Sequence, residues 1–153
     1  MNADEKLRAM GLLLPQPPKA MATYRSAVQS GNLLFIAGQG PMVNGKPTSQ
    51  GKLGENVSFE QGYEAARVSA LNALAVIHAH AGSLAAVKQV VRATVYVASA
   101  PHFVDQPRVA NGATDLLREL WGDAGLPARA AVGVPVLPMD IPVELELAVE
   151  LKE

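Results

Sequence analysis

The chain has 153 residues, 49% of them hydrophobic and 18% charged, with a formal net charge of −1 and no cysteine. That length suits one domain able to bury roughly 68–70% of the surface its unfolded chain would expose. The near-neutral balance leaves no basic field to follow a nucleic acid backbone, and the lack of cysteine excludes disulfides, thiolate metal sites and cysteine nucleophiles.

The opening stretch MNADEKLRAMGLLLPQPPK lacks the basic start and long apolar run of a secretory signal, and a cytoplasmic location is the expectation. No run of 18 apolar residues free of charge occurs anywhere, so no membrane span is expected. Residues 3–10 read as a short helix ending at Gly11. The LPQPPK segment after it cannot continue a helix, because its prolines remove donors and fix φ. Residues 1–19 are therefore read as an arm laid on a single domain spanning 20–153.

TYRSAVQ and LLFIAGQ read as two strands joined by SGN, a hairpin signal. VNGKPTSQGKLGENV follows as a polar, glycine-rich exposed loop. Ser58 with Gln61 three residues later forms a capping box before a helix over about 59–80, which carries Ala65, Val68, Leu71, Ala75 and His78 at helical spacing and stops near Gly82. KQVVRATVYVAS is a strand by its β-branched content. A second helix runs over about 107–121, with Pro107 in its first turn and Gly122 near its end. Two last strands cover about 129–135 and 142–151. This order predicts an α+β domain with both helices on one face of the sheet.

In the last strand, Val143, Leu145, Leu147, Val149 and Leu151 form one aliphatic face for the helices to cover. The opposite face carries Glu144, Glu146, Ala148 and Glu150. Alternation assigns Arg129, Ala131 and Gly133, together with Val90, Arg92, Thr94 and Tyr96, to that second face. Its mixture of apolar, aromatic and charged side chains differs from a freely solvated surface and predicts packing against another copy of the chain.

Common chemical motifs are missing. There is no phosphate loop, no dinucleotide-binding glycine motif after a strand and no nucleophile elbow. His78 and His80 lie two apart on a helix and point to different faces, and no metal site is expected. Arg129 is the residue that stands out, because it opens a run of small and apolar residues. A guanidinium in a partly dry setting binds a planar carboxylate through two parallel hydrogen bonds, and the small side chains of Ala131 and Gly133 leave room for a small acid. The alternative is an internal ion pair of Arg129 with Glu144 or Glu146. Spacing alone does not choose between them.

LPARAAVGVPVLPMDIPVELELAVEL resembles the closing signature of the YjgF/RidA family: an arginine after Pro-Ala, a Leu-Pro turn, then a strand with alternating glutamates. GNLLFIAGQGP is similar to that family's N-terminal hairpin and Ser-Gly-Gln segment, and TVYV with the downstream VAN is similar to its strand and the asparagine before the second helix. The resemblance spans roughly residues 20–151. It implies a chorismate-mutase-like α+β fold assembled as a homotrimer, with ligand clefts between subunits and no cofactor. It also implies hydrolysis of small 2-imino acids to 2-keto acids and ammonia. By position, Arg129 falls on the arginine that holds the substrate carboxylate and Glu144 on the glutamate near the attacking water. Tyr24, Gly38 and Asn111 fall on other cleft positions.

Two departures bear on the substrate. Ala37 replaces the serine common in the family, and Ala131 replaces a frequent cysteine, so both cleft positions lose a polar group. Two other functions compete with the deaminase: a non-catalytic trimeric module binding a small carboxylate metabolite, and an endoribonuclease. The net charge and the lack of a basic, aromatic stripe count against RNA.

Overall fold

The structure, a computed structural model, describes residues 1–153. Its centre is a strand, β7 (Val143–Leu151), in which Val143, Leu145, Leu147, Val149 and Leu151 are all buried under helices. The other elements in chain order are α1 (Ala3–Ala9), β1 (Ala27–Ser30), β2 (Leu33–Gln39), β3 (Met42–Val43), β4 (Lys46–Pro47), α2 (Phe59–Ala81), β5 (Val87–Ala98), α3 (Gln106–Trp121) and β6 (Ala128–Val134). The main sheet has the order β1-β2-β7-β5-β6; all its pairs are antiparallel except β5 with β6. The expected α+β architecture, with helices layered on a mixed sheet, is present, and no helix is long and apolar enough to cross a membrane.

Local signals account for the long elements. Ser58 accepts a hydrogen bond from the Gln61 amide while the Gln61 side chain accepts one from the Ser58 amide, satisfying two otherwise orphaned donors at the start of α2. Gly82 ends that helix in a left-handed conformation, with φ 83°. Pro107 sits in the first turn of α3. The arm helix α1 is capped by Asn2 and Glu5 in the same reciprocal way, and its Ala3 and Leu7 belong to the main apolar cluster.

Several expectations need correction. The first strand begins at Ala27 rather than Thr23, since residues 22–24 form a bend that carries Tyr24 away from the sheet. The loop read as exposed folds back on the domain: Met42–Val43 and Lys46–Pro47 form a small hairpin, and Leu53 is fully buried. The buried side of α2 is also wider than one stripe, taking in Ala65, Ala66, Ser69, Ala70, Ala73, Leu74 and Ile77, while Val68 and Leu71 are only half-buried. Alanine makes this possible, because it lets a neighbour approach on several sides.

The assignment of side chains to sheet faces changes most. A break in the register between Val90 and Arg92 turns Val90 into the core. The parallel pairing of β6 sets Arg129 opposite Ala93, Ala131 opposite Val95 and Gly133 opposite Val97. Ala93, Val95 and Val97 are buried beneath the helices. Arg129, Ala131 and Gly133 therefore belong to the helix-covered face and not to the open one, since paired residues in neighbouring strands project to the same side.

The helix layer depends on close approach of α2 and α3. A Cβ built on Gly112 would lie 2.0 Å from the Tyr63 carbonyl oxygen of α2. Gly112→Ala is expected to lower the unfolding free energy by about 1–3 kcal/mol in urea titration with an unchanged m-value. A loss within about 0.5 kcal/mol would mean that the helices separate freely and that this contact is not a constraint.

Candidate functional site

On the helix side of β6, Arg129 reaches α3. Its Nη1 donates to Asn111 Oδ1 at 2.7 Å and to Thr114 Oγ1 at 3.0 Å. Both acceptors are neutral, and the guanidinium forms no ion pair with Glu144, Glu146 or any other carboxylate. The internal ion pair weighed as the alternative to a ligand is absent. Five N–H donors belong to an arginine, and the Nη2 and Nε edge of the fork has no protein partner. The charge is thus held in orientation without being neutralised.

Asn111, expected just before the second helix, lies inside α3, one turn from Thr114, and together they clamp one nitrogen of Arg129. Ala131, further along β6, packs its methyl group on the main core. At Gly133 a Cβ would come 2.7 Å from Gln106 Nε2, so the lack of a side chain there serves packing against α3.

Glu144 occupies the other side of the sheet. It stands opposite Tyr96 in β5, as Glu146 stands opposite Thr94. Glu146 accepts the Tyr96 hydroxyl at 2.9 Å, whereas Glu144 remains half-buried without a protein donor. Its pKa is raised above the carboxylate value of 4.5, first because burial penalises the charged form and second because Glu146 is close. Gly38 makes room for this carboxyl group: a Cβ built there would sit 3.0 Å from Glu144 Cδ. The irregular pairing of β2 with β7 between Ile36 and Gln39 brings Gly38 to that place.

Glu144 and Gly38 border a cavity of 580 Å³, whose lining also includes Tyr24, Ser26, Asn72, Met139 and arm residues Pro15 to Lys19. Ala37 does not line it. The Tyr24 hydroxyl accepts the Met21 amide at 3.3 Å, tying the ring to the arm. One protomer therefore gathers Tyr24, Gly38 and Glu144 at a cavity on one side, and Arg129 with Asn111 on the other.

Sequence reasoning missed two contributors. Asn72 is 2% exposed in the middle of α2, where its amide donates to the Gly40 and Met42 carbonyls at 2.9 and 3.0 Å. An asparagine inside an alanine-rich helix was the available signal, since a buried amide needs partners. Met139 and Asp140 both adopt positive φ, 59° and 56°. Gln50 Nε2 donates to the Met139 carbonyl at 2.8 Å, and the Gly51 amide donates to the Asp140 carbonyl at 2.8 Å. Two adjacent non-glycine residues in this region mark backbone strain that neighbours must hold in place; no residue type in the sequence announces it.

Elsewhere, His78 Nε2 lies 3.8 Å from Asp4 Oδ1, and His80 meets Gln29 at 2.7 Å. No group of three or more His, Asp or Glu side chains is arranged to hold a metal ion.

Comparison with known proteins gives these positions a context. Residues 4–151 match the family described as YjgF/chorismate mutase-like, "putative endoribonuclease". The chain belongs to the YjgF/RidA family. It is 39% identical to protein TCP17 of Trypanosoma cruzi over 146 residues, covering 95% of this chain and 91% of that protein. The Agrobacterium tumefaciens protein Atu1372 superposes with a TM-score of 0.90 at 37% identity, covering 98% and 94% of the two chains. The YjgF gene product of Escherichia coli superposes with a TM-score of 0.67 at 25% identity, covering 90% and 94%. The fold is thus the chorismate-mutase-like fold of the YjgF/RidA family, and the matched range begins within the arm helix.

The charge state of Glu144 links this site to stability. A carboxyl group with a raised folded pKa binds its proton more readily in the native state. Its favourable contribution is complete below the unfolded pKa and is lost as pH rises through the folded value. Glu144→Gln is therefore expected to raise the melting temperature at pH 7, with the gain over wild type shrinking toward pH 4. Thermal melts of both proteins at the two pH values measure this; a variant less stable than wild type at pH 7 would contradict the desolvation of Glu144.

Proposed function

We infer that this protein hydrolyses small 2-imino or enamino acids to 2-keto acids and ammonia, without a cofactor, in a cleft that two copies of the chain build together. The observation that carries this reading is the pairing of two unsatisfied charges at separate places. Arg129 keeps half its fork open on an edge strand, and Glu144 faces a cavity with no donor of its own. Neither half-site binds and activates an imino acid alone. A second protomer bringing its Arg129 edge to the Tyr24, Gly38 and Glu144 cavity completes the site, and three copies repeating that contact close a ring. The open sheet face supports such an assembly. Val28, Phe35 and Ala148 pair in one row across β1, β2 and β7, with Val28 50% and Phe35 48% exposed.

In this mechanism the guanidinium takes the substrate carboxylate in two parallel hydrogen bonds through Nη2 and Nε. Asn111 and Thr114 act as positioning residues, because they fix the plane of the fork. Water attacks the electrophilic imine carbon while Glu144 accepts its proton. The resulting carbinolamine breaks its C–N bond with the nitrogen protonated, which releases ammonia and leaves the keto acid. Atoms balance as imine plus water to ketone plus ammonia. Glu144 suits the step because burial raises its basicity.

A second reading, a trimeric module that only binds a carboxylate metabolite, needs the open guanidinium edge of Arg129 alone and no proton transfer at Glu144. Binding of RNA is disfavoured by Glu144, Glu146 and Glu150 on the open face, where a phosphate backbone would meet like charge.

A dehydratase acting on serine or threonine supplies imines, and their loss is followed against the uncatalysed rate. Wild type is expected to accelerate it. Arg129→Ala should reduce kcat/KM by about 10²-fold or more, matching the loss of two charge-assisted bonds, and Glu144→Gln should reduce kcat by about 10²–10⁴-fold. The wild-type rate should rise with pH to a plateau above the raised pKa of Glu144, and the variant should lack that limb. No acceleration, with carboxylate binding intact, would replace the deaminase by the binding module.

A further inference from the structure

The arm supplies a wall of the Glu144 cavity, and the arm is fixed. The Asp4 carboxylate accepts the Ser83 hydroxyl and the Leu84 and Ala85 amides, anchoring α1, while Leu7 is buried beneath it. Pro15, Pro17 and Pro18 then restrict the chain that follows. Two further ties close the segment: Ser26 Oγ donates to the Pro18 carbonyl at 3.5 Å, and the Met21 amide donates to the Tyr24 hydroxyl at 3.3 Å. Lys19 lies between these ties, so its backbone is presented at a set place on the cavity rim.

Size and charge then point the same way. A three- or four-carbon imino acid displaces only a few water volumes, on the order of 100–200 Å³. The cavity measures 580 Å³. Among its lining residues Lys19 is the one cation and Glu144 the one carboxylate. We propose that the preferred ligands are 2-imino acids, and the 2-keto acids formed from them, whose side chain ends in a second carboxylate that pairs with Lys19. The inference rests on the proposed site, with the partner's Arg129 holding the first carboxylate and the reacting carbon beside Glu144. A neutral or short tail leaves the lysine to water and much of the cavity filled with solvent. Because Lys19 is exposed, the discrimination is a few-fold and salt-sensitive.

Calorimetric titration of the full-length protein with 2-oxoglutarate and with 2-oxohexanoate compares an acidic tail with a neutral one at low salt. Wild type should bind 2-oxoglutarate about 3–10-fold more tightly, with the ratio shrinking in 0.5 M salt. Lys19→Ala should bring the ratio to about one, Lys19→Glu should invert it, and Lys19→Arg should preserve it. Equal affinities in wild type, or a preference that survives Lys19→Ala and Lys19→Glu, overturn the proposal even if imine hydrolysis is observed. A Lys19-dependent preference without imine hydrolysis supports this ligand class while removing the deaminase reading. If neither acid binds, this proposal falls, and the imine-loss assay alone decides the deaminase reading.

Discussion

The parallel pairing of β6 with β5 governs everything proposed about this protein. It fixes Arg129 opposite Ala93 and so turns the guanidinium toward α3. The antiparallel pairing of β7 with the same strand fixes Glu144 opposite Tyr96, on the open side. A shift of either pairing by one residue would exchange the faces, because side chains alternate along a strand. The cation and the carboxylate that a cofactor-free imine hydrolysis needs are thereby kept apart within one chain, on opposite sides of the sheet. That separation prevents their mutual neutralisation, and it makes a second copy a chemical requirement of the proposed reaction.

The two halves are built by different physical means. Arg129 is oriented by neutral acceptors, Asn111 and Thr114, which fix a nitrogen while leaving the full charge to a ligand. Glu144 is made more basic by partial loss of water and by the nearness of Glu146. Gly38 gives it space, and Met139 of the strained turn borders its cavity. Each of these arrangements costs stability locally, and each is held by ordinary packing: the aliphatic face of β7, the alanine surface of α2 and the close approach of α3 at Gly112. Natural sequences commonly depart from the most stable choice where a site must act.

What could be read from the sequence was the part decided locally. The Ser58 and Gln61 capping box, the proline and glycine at the ends of α3, and the strict alternation of β7 each have a short-range cause, and each element lies where expected. The motifs around Arg129 and Glu144 likewise carried the family resemblance. The side of the sheet taken by Arg129 was not legible. Ala-Ala-Val-Gly-Val offers no contrast between polar and apolar positions, so nothing within β6 distinguishes its faces, and the choice falls to its partner strand. Val90 misled for a related reason, since a break in register shifts the alternation without a glycine or proline to announce it. The broad burial of α2 was hidden by its alanines, which fit any face. The arm's place beside Glu144 depended on contacts some eighty residues apart, Asp4 with Ser83 among them, which no local pattern encodes.

Subunit complementation tests the shared site most directly. Arg129→Ala and Glu144→Gln are prepared separately, confirmed to have lost imine hydrolysis, then unfolded and refolded together in equal amounts. If each site draws its guanidinium from one copy and its carboxylate from another, random assembly restores both groups to about a quarter of the sites. Activity should then recover to about a quarter of the wild-type rate per site. Recovery no greater than the sum of the two variants alone, in a mixture shown to contain hybrid oligomers, would contradict a site divided between protomers.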